Sequence, residues 1–277
     1  MIAHRQGKTR LAGVGHDLCG APELVAERGC MLGGTIHLLE SVTSTSDEAK
    51  RGAREGAAHG TTWVAERQTA GRGRQGRSWT STPGESLLFS VLARLACPAS
   101  CLPPIALVAG LAVRDAVARA LPGVDVLTKW PNDVLVGGRK VAGVLVEAIT
   151  VGVRVEAVVV GVGINVHTRV FPADIEERAT SIALASPSVP PDRATILADV
   201  LAQLDRDLHI VVGRGLSLVR ARLEAGDALK GSRVRSESGD EGVASGIDDE
   251  GRLLVRRDDG VLARWSAGEV HLVRGLG

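Results

Sequence analysis

The segment Gly71–Arg77 (Gly-Arg-Gly-Arg-Gln-Gly-Arg) restricts the fold more than any other stretch of this chain. It has no apolar side chain to place in a core, and glycine loses more conformational entropy on ordering than any other residue. The segment must therefore be a surface loop, and by itself it cannot hold one conformation. Its backbone amides and guanidinium groups can surround phosphate or carboxylate oxygens. Taken alone, the pattern is as compatible with a solvated basic loop, including one that touches nucleic acid, as with such an anion-binding loop.

The overall composition does not explain this local concentration of arginine. The 277-residue chain carries a formal net charge of +1, so its overall field requires neither a nucleic acid nor an anionic membrane as partner. No uninterrupted apolar run approaches the ~18 residues that a membrane helix needs. Glycines and His16 interrupt the N-terminal region, so we expect no secretory signal. We expect a cytoplasmic protein with one large core and a second, smaller one.

The cysteines do not indicate a metal site. There are four, at positions 19, 30, 97 and 101, and their only close spacing is the C-x3-C of Cys97 and Cys101. No second Cys/His pair stands nearby, so we expect no zinc centre. We interpret all four as reduced thiols of a cytosolic protein.

A second polar segment, Lys129–Asp133 (Lys-Trp-Pro-Asn-Asp), stands at the mouth of a predicted strand. The pair Gly137-Gly138 then predicts a hairpin turn, and Lys140 follows this turn within the sequence Lys-Val-Ala-Gly-Val-Leu-Val-Glu. Taken alone, Asn132-Asp133 would be a turn signal, and Lys140 would be a solvated residue of an edge strand. The two segments acquire a chemical meaning only beside the Gly/Arg loop, the name used here for residues 71–77.

Hydrophobic periodicity predicts alternating strands and helices between residues 35 and 224. Predicted strands cover residues 35–40, 61–68, 86–93, 124–129, 141–149 and 155–166. Predicted helices begin at a capping box in residues 45–48 and cover residues 103–121, 192–212 and 216–224. Strands in hairpins mixed with helices favour the α+β class, with one mixed, mainly antiparallel sheet backed by helices.

The two ends of the chain differ from this body. Beyond Ala225-Gly226, tight Asp/Gly turns separate five short predicted strands, which is typical of a small SH3-like β-barrel. Their ranges are 231–235, 242–247, 252–256, 261–265 and 269–273. Residues 1 to about 30 are rich in glycine and show no convincing period. We predict that they form an ill-ordered leader with room for one short helical piece.

Taken together, these motifs resemble those of the biotin protein ligases. The Gly/Arg loop is similar to the family's GRGRxGR pattern, residues 129–133 to its KWPND pattern, and residues 140–147 to its KxAGxLxE pattern. Glu66, Gln68, Ala70, the Ser44-Thr45 pair and the GxGxN sequence at residues 161–165 add to the match. The resemblance implies a class II synthetase-like catalytic domain at residues 34–226. It also implies an SH3-like domain at 227–277, with a leader at 1–33.

The resemblance implies an enzyme that activates biotin with ATP and Mg²⁺ and transfers it to a biotin carboxyl carrier protein of acetyl-CoA carboxylase or a related carboxylase. It implies that Lys140, Arg74 and Asp133 are catalytic, and that Asp133 also binds the metal. The implied biotin-binding residues are Ser44, Thr45, Ser46, Gln68, Gly71, Arg72, Lys140 and Gly143. The implied ATP- and adenylate-binding residues are Arg72, Arg74, Arg77, Trp79, Lys129, Asn132 and Asn165.

The implied chemistry answers one electrostatic problem. A carboxylate must attack the α-phosphorus of ATP, and both partners are anions, so the site needs positive charge around the phosphate. Lys140 would bridge the carboxylate and the phosphate, because lysine carries a compact, movable charge. Asp133 would hold metal or triphosphate, or accept the proton of the carrier's lysine. The Gly/Arg loop would order over the product and exclude water.

Three positions leave alternatives open. A tryptophan beside a phosphate loop is either a structural anchor or a flat surface for a purine. The motif favours the second role for Trp79, near the adenine, and does not decide for Trp130. Ser46 stands where the family usually has asparagine, so it lacks an amide that could both donate to and accept from the ureido ring.

Two other functions are compatible with the same resemblance. One is a lipoate or octanoate ligase or transferase of related fold, which would not need this form of the Gly/Arg loop. The other is a biotin-responsive regulator, which we disfavour because some thirty glycine-rich residues are too few for a helix-turn-helix. We expect no nucleic acid or membrane partner, and a monomer or homodimer.

Overall fold

The computed structural model describes residues 14–152, 154–186 and 188–273. Its strands are β1 (Ile36–Val42), β2 (Thr62–Gln68), β3 (Ser86–Ala93), β4 (Val126–Lys129), β5 (Asp133–Val136), β6 (Arg139–Val151), β7 (Arg154–Asn165), β8 (Arg233–Ser236), β9 (Glu241–Ile247), β10 (Leu253–Arg256), β11 (Leu262–Trp265) and β12 (Val270–Leu272). Its α-helices are α1 (Ala21–Glu27), α2 (Thr45–Arg54), α3 (Leu102–Ala120), α4 (Ile182–Ala185), α5 (Arg193–Arg214) and α6 (Arg220–Ala225). The predicted helix at 216–224 is helical only from Arg220.

The main sheet has seven strands in the order β1-β2-β3-β7-β6-β5-β4. Strands β1 and β2 pair in parallel, and every other neighbouring pair is antiparallel. The prediction of a mixed, mainly antiparallel sheet is therefore confirmed. The connections β4–β5–β6–β7 are short hairpins, which bring the two segments 129–133 and 140–147 side by side.

Helices cover both faces of the sheet, which explains why the sequence of β3 is almost entirely apolar. Helices α3 and α5 pack on one face with Phe89 and Val160, while Ala49 of α2 packs on the other with Leu92 and Val159. Side chains alternate between the faces of a strand, so a strand covered on both sides is largely apolar along its whole length. All eight residues of β3 are buried.

Helix α3 is a long and largely apolar helix. By length and composition it could cross a membrane, but 61% of its most apolar window is buried inside the protein. Residues such as Ile105 and Leu111 are fully buried against the sheet and α5. This burial is what the core helix of a globular domain requires.

Residues 14–33 differ from the predicted ill-ordered leader. They contain a short 3-10 helix at His16–Leu18 and the helix α1, which packs against α5. Leu18, Val25 and Leu32 are fully buried, so this segment belongs to the main core. Periodicity could not reveal this, because each element is too short to show one. The rest of the predicted leader, residues 1–13, lies outside the described residues.

The C-terminal residues form a separate five-stranded antiparallel sheet in the order β11-β10-β9-β8-β12. It meets the part of the chain that carries the main sheet at Trp130, which is 4% exposed and whose Nε1 donates to the Gly251 carbonyl at 2.9 Å. Trp130, which the sequence left undecided, is therefore a structural anchor between the two sheets. The domain limits at 33 and 226 stay predictions.

Candidate active site

A strip of glycines on the main sheet forms the floor of a groove. Gly143 of β6 lies directly opposite Gly163 of β7, and Gly161 is on the same face two residues away. A Cβ atom at Gly163 would lie 2.6 Å from Cε2 of Trp79, and one at Gly161 would lie 2.8 Å from the hydroxyl of Ser46. The absent side chains therefore make room for other groups, and here the Trp79 ring fills part of that room.

One end of the groove is lined with hydroxyl and amide groups that carry no charge. Ser44 caps α2 by accepting from the Ser46 amide at 3.3 Å, so the cap lies one residue before the predicted capping box. Gln68 at the end of β2 accepts from the Thr45 amide at 2.7 Å and from its hydroxyl at 3.1 Å. Ser90 of β3 lies 2.8 Å from the Thr45 hydroxyl and 3.1 Å from that of Ser46. This end suits a small polar ring that needs a few hydrogen bonds.

The Gly/Arg loop closes as a small hairpin over the groove. The Gly73 amide donates to the Arg77 carbonyl at 2.7 Å, and the Trp79 amide donates to the Gly71 carbonyl at 2.9 Å. A Cβ at Gly71 would lie 2.5 Å from the Trp79 carbonyl oxygen, so only glycine permits this closure. Gln75 has a φ of 55°, a conformation that non-glycine residues rarely adopt.

Carboxylates outside the loop hold it in place. Arg77 pairs with Glu269 and lies 3.9 Å from Glu237, both in the C-terminal domain. Gln75 donates to Glu237 at 2.8 Å. Arg72 pairs with Asp47 of α2 at 2.5 Å. Exposed ion pairs of this kind are worth only about 0–1 kcal/mol each, so a phosphate could displace them.

The other end of the groove is cationic. Lys140 lies 2.6 Å from Asp133 and 5.7 Å from the centroid of the Trp79 ring. Burial lowers the pKa of the Lys129 ammonium, and the charges of Lys140 and Arg77 lower it further, while Asp133 opposes them. Positive charges crowded in this way are stabilised when an anion enters.

Arg74 reaches over the same end of the groove. Its Nη1 lies 3.4 Å from Oδ1 of Asn132, whose amide nitrogen donates to the Val144 carbonyl at 2.8 Å. Burial lowers the pKa of the Arg74 guanidinium, and Asp133 raises it. A guanidinium stays protonated regardless, so Arg74 presents a half-buried charge to the groove.

Comparisons with known proteins agree with this geometry. Residues 38–165 match the Biotin/lipoate A/B protein ligase family, and residues 231–273 match the Biotin protein ligase C terminal domain. The Biotin--[acetyl-CoA-carboxylase] ligase of Mycobacterium tuberculosis is 38% identical over 226 residues, which are 79% of this chain and 81% of that protein. The Bifunctional ligase/repressor BirA of Escherichia coli is 32% identical over 250 residues, 88% of this chain and 76% of that one. This chain belongs to the biotin protein ligase family.

The fold of a solved family member agrees as well. The biotin protein ligase from Aquifex aeolicus in complex with biotin and ATP superimposes with a TM-score of 0.75 at 31% identity. The match covers 87% of this chain and all of that one. The predicted fold class and the family resemblance are thereby confirmed.

Most residues that the sequence singled out line the one groove just described. They are Ser44, Thr45, Ser46, Gln68, Arg72, Arg74, Arg77, Trp79, Asn132, Asp133, Lys140 and Gly143. Three lie outside its lining. Gly71 closes the loop hairpin, and Lys129 sits behind Asp133 in the register of β4 and β5. Asn165 donates to the Thr180 carbonyl at 3.0 Å and so holds the segment that runs beside Lys140.

The sequence did not assign several lining residues to the site. They are Gly73, Ser78, Val144, Leu145, Gly161, Val162, Gly163 and Glu269. The alternating glycines of β7 were a usable signal, because glycine within a strand marks a close approach of another group. Ser90, a buried polar residue within the apolar strand β3, was another such signal. Nothing near Glu269 in the sequence indicates its contact with Arg77.

The groove fits a magnesium ion that the nucleotide brings with it. No group of three or more His, Cys, Asp or Glu side chains that could hold a metal ion occurs among the described residues. Mg²⁺ is commonly held by one or two carboxylates together with substrate phosphates. Asp133, at the cationic end, supplies one such carboxylate.

Proposed function

We propose that this protein activates biotin with ATP to form biotinyl-5′-AMP and transfers the biotinyl group to a lysine of a biotin carboxyl carrier protein. One observation carries the proposal: an uncharged hydroxyl and amide end and a cationic end belong to the same groove, and the Lys140 ammonium of the cationic end lies 5.7 Å from the centroid of the Trp79 ring. A neutral ring with an anionic tail fits the first end, and a nucleotide fits the second. One relative is named a biotin--[acetyl-CoA-carboxylase] ligase, and a similar solved structure is a complex with biotin and ATP, which supports both proposed ligands.

At the uncharged end, the ureido ring of biotin would exchange hydrogen bonds with Thr45, Ser46 and Gln68, while the buried Ser90 holds the hydroxyls of Thr45 and Ser46 from beneath. These groups already form a connected hydroxyl network with the Gln68 amide, so their positions are fixed before the ligand arrives. The amide nitrogen of Gln68 and the rotatable hydroxyls can serve both the N–H and the C=O groups of the ring. Because Ser46 stands where the family usually has asparagine, a hydrogen bond that the asparagine amide would make to the ring would be made by the Ser46 hydroxyl or by a water molecule.

In the first step, a carboxylate oxygen of biotin attacks the α-phosphorus, and the bond between that phosphorus and the bridging oxygen of pyrophosphate breaks. The negative charges of both reactants must be offset while they approach. We assign this role to Lys140, whose ammonium group lies 2.6 Å from Asp133 and 5.7 Å from the centroid of the Trp79 ring. Arg74, Arg77 and Lys129 would bind the phosphates. Magnesium bound at Asp133 would supply further neutralisation of the triphosphate.

The mixed anhydride must then be protected from water. Arg74 lies over the cationic end, and the Gly/Arg loop already forms a hairpin that can cover the product. Nε1 of Trp79 is buried without a hydrogen-bond partner among the described residues, so a ligand acceptor beside the ring would satisfy it. These contacts favour retention of the adenylate, with its adenine near Trp79.

In the second step, the amine of the carrier's lysine attacks the carbonyl carbon and AMP leaves with the bonding electron pair. The lysine's ammonium group must lose a proton to become the attacking amine, and Asp133 is the carboxylate at the cationic end that could accept it. Asp133 pairs with Lys140 at 2.6 Å, so the proton acceptor would lie beside the residue proposed to offset the phosphate charge.

The proposed partner is the biotin carboxyl carrier of acetyl-CoA carboxylase or a related carboxylase, because relatives are named for that substrate. We propose a cytoplasmic protein that acts as a monomer or homodimer and needs no nucleic acid. The net charge of +1 supports the last point.

The test is substrate-dependent release of pyrophosphate from ATP and Mg²⁺ by the purified protein. Biotin should support release, and lipoate or octanoate at the same concentration should not. Release with lipoate or octanoate in place of biotin would assign the protein to the related lipoate and octanoate activities and contradict the proposal.

A further inference from the structure

A buried arginine lies outside the groove and uses every nitrogen of its side chain. Arg193, the first residue of α5, is 1% exposed. It donates to both oxygens of Glu66, at 2.8 and 2.9 Å, and to both oxygens of Asp17, at 2.8 and 2.6 Å. It also donates to the Ser86 carbonyl at 3.1 Å. Two forked contacts from a single guanidinium fix its plane and the positions of both carboxylates.

The partners of Arg193 stand at both ends of the chain segment that carries the Gly/Arg loop. Glu66 lies in β2, two residues before Gln68, and Ser86 begins β3 after the loop. Glu66 also accepts from the Gly84 amide at 3.0 Å, which joins the two ends of the segment directly. Residues 67–83 are therefore closed by one network at their base.

The N-terminal segment completes this network. Asp17 supplies the second carboxylate for Arg193, and the Gly15 amide donates to Glu66 at 2.7 Å. The hydrogen bonds to Arg193 hold the pKa of the Asp17 carboxyl below its ordinary value, although burial opposes this. Residues 14–17 thus touch the base of the loop segment, although they lie far from it in the sequence.

We propose that Arg193, with Glu66 and Asp17, is a positioning residue for the reaction, and that the N-terminal segment acts through it on the Gly/Arg loop. The inference rests on the proposed function. None of the three residues lines the groove. They fix the distance between the ends of the loop segment, which reduces the number of conformations that the flexible loop can adopt. They also fix Gln68, two residues along the same strand from Glu66, in its place beside Thr45.

This role differs from stabilisation of the fold alone. A buried ion pair adds little net stability, because desolvation of both charges offsets their attraction. Loss of loop positioning would instead lower the fraction of protein that is competent to bind, and this raises the apparent dissociation constant in inverse proportion. The bound state keeps its catalytic groups, so kcat should be retained while KM rises.

The experiment compares two glycines that flank Asp17. A Cβ at Gly15 would lie 2.5 Å from Nη2 of Arg193 and 2.9 Å from Oε1 of Glu66, whereas a Cβ at Gly20 would have no atom within 4 Å. Both backbones have negative φ, −60° and −91°, so alanine suits either conformation. Gly15→Ala therefore disturbs the network and Gly20→Ala is its matched control.

We expect Gly15→Ala to raise KM for biotin and ATP about fivefold or more, with kcat of pyrophosphate release within about twofold of the parent. Gly20→Ala should match the parent. Without any ligand, trypsin should also cut Gly15→Ala faster within the Gly/Arg loop. An unchanged KM and unchanged cleavage in Gly15→Ala, with only the melting temperature lowered, would overturn the proposal.

A second variant avoids any dependence on one substitution. Asp17→Asn keeps the size of the side chain and leaves the pair between Arg193 and Glu66 intact. Its control is Asp115→Asn, which removes one of the two carboxylates that pair with Arg222 elsewhere in the core. The two variants should lose similar stability, but only Asp17→Asn should raise KM and loop cleavage. If the parent itself released no pyrophosphate with biotin, the proposed function would fail, and ligand-free loop cleavage would still decide the positioning role.

Discussion

Replacement of Lys140 by alanine should slow adenylation without unfolding the protein. The ammonium group lies at the cationic end of the groove, 2.6 Å from Asp133, with a side chain that is 36% exposed. Two unit charges 4 Å apart attract by about 4 kcal/mol at an effective dielectric constant of 20. Since this side chain is partly solvated, we expect a loss of about 3 kcal/mol, or roughly a hundredfold in rate.

The stability of this variant should hardly change, because a partly exposed ion pair contributes only about 0–1 kcal/mol to folding. The assay is single-turnover pyrophosphate release at saturating biotin and ATP-Mg, together with a thermal melt. Lys230→Ala is the matched control: Lys230 pairs with Glu224 at 3.0 Å on the surface, so its loss should leave the rate unchanged. An adenylation rate for Lys140→Ala within about threefold of the parent would refute the idea that Lys140 offsets the charge of the reactants.

Four further outcomes follow from the same geometry. The Gly/Arg loop should be cut by trypsin in the free protein and protected once biotin and ATP-Mg are added, because the bound anion offsets the entropy of ordering; equal cleavage would contradict this. Arg74→Gly should still release pyrophosphate but leak the adenylate and label albumin on a blot; if release stops and albumin stays unlabelled, Arg74 belongs to the adenylation step itself. Lys129→Met should raise the melting temperature while weakening ATP binding, since burial already disfavours the Lys129 charge; a lowered melting temperature would argue against this. Burial raises the pKa of the Asp227 carboxyl in the folded protein above its ordinary value of 3.8. The free energy of unfolding is therefore highest below pH 3.8, where the carboxyl is protonated, and falls as the pH rises and the buried carboxyl ionises. Asp227→Asn should therefore stabilise the protein in a melt at pH 7 and not at pH 3, where the parent's carboxyl is protonated.

Local chemistry made much of the fold and site predictable. Strand β3 was predicted at its observed limits because a short apolar run bounded by polar residues is typical of a buried strand. The segments 129–133 and 140–147 came together because tight turns join adjacent strands, so short spacing in the sequence becomes short distance in space. The hydroxyl end of the groove was predicted through the family motif.

What the sequence could not indicate depends on long separations along the chain. Arg193 is 127 residues from Glu66, and Arg77 is 192 residues from Glu269. A charged residue that will be buried and paired looks the same in a sequence as one that stays solvated, because only its distant partner distinguishes them. For the same reason the sequence did not predict the fold of residues 14–33: their buried side chains pack against α5, which is distant in the sequence.

The most direct test of the account is the mass of a purified biotin carboxyl carrier domain after incubation with this protein, biotin, ATP and Mg²⁺. The account predicts an increase by one biotinyl group on a single lysine, which is lost when biotin or ATP is omitted or when that lysine is replaced by arginine. A carrier whose mass stays unchanged, while a biotin protein ligase of known activity labels it under the same conditions, would contradict the central claim.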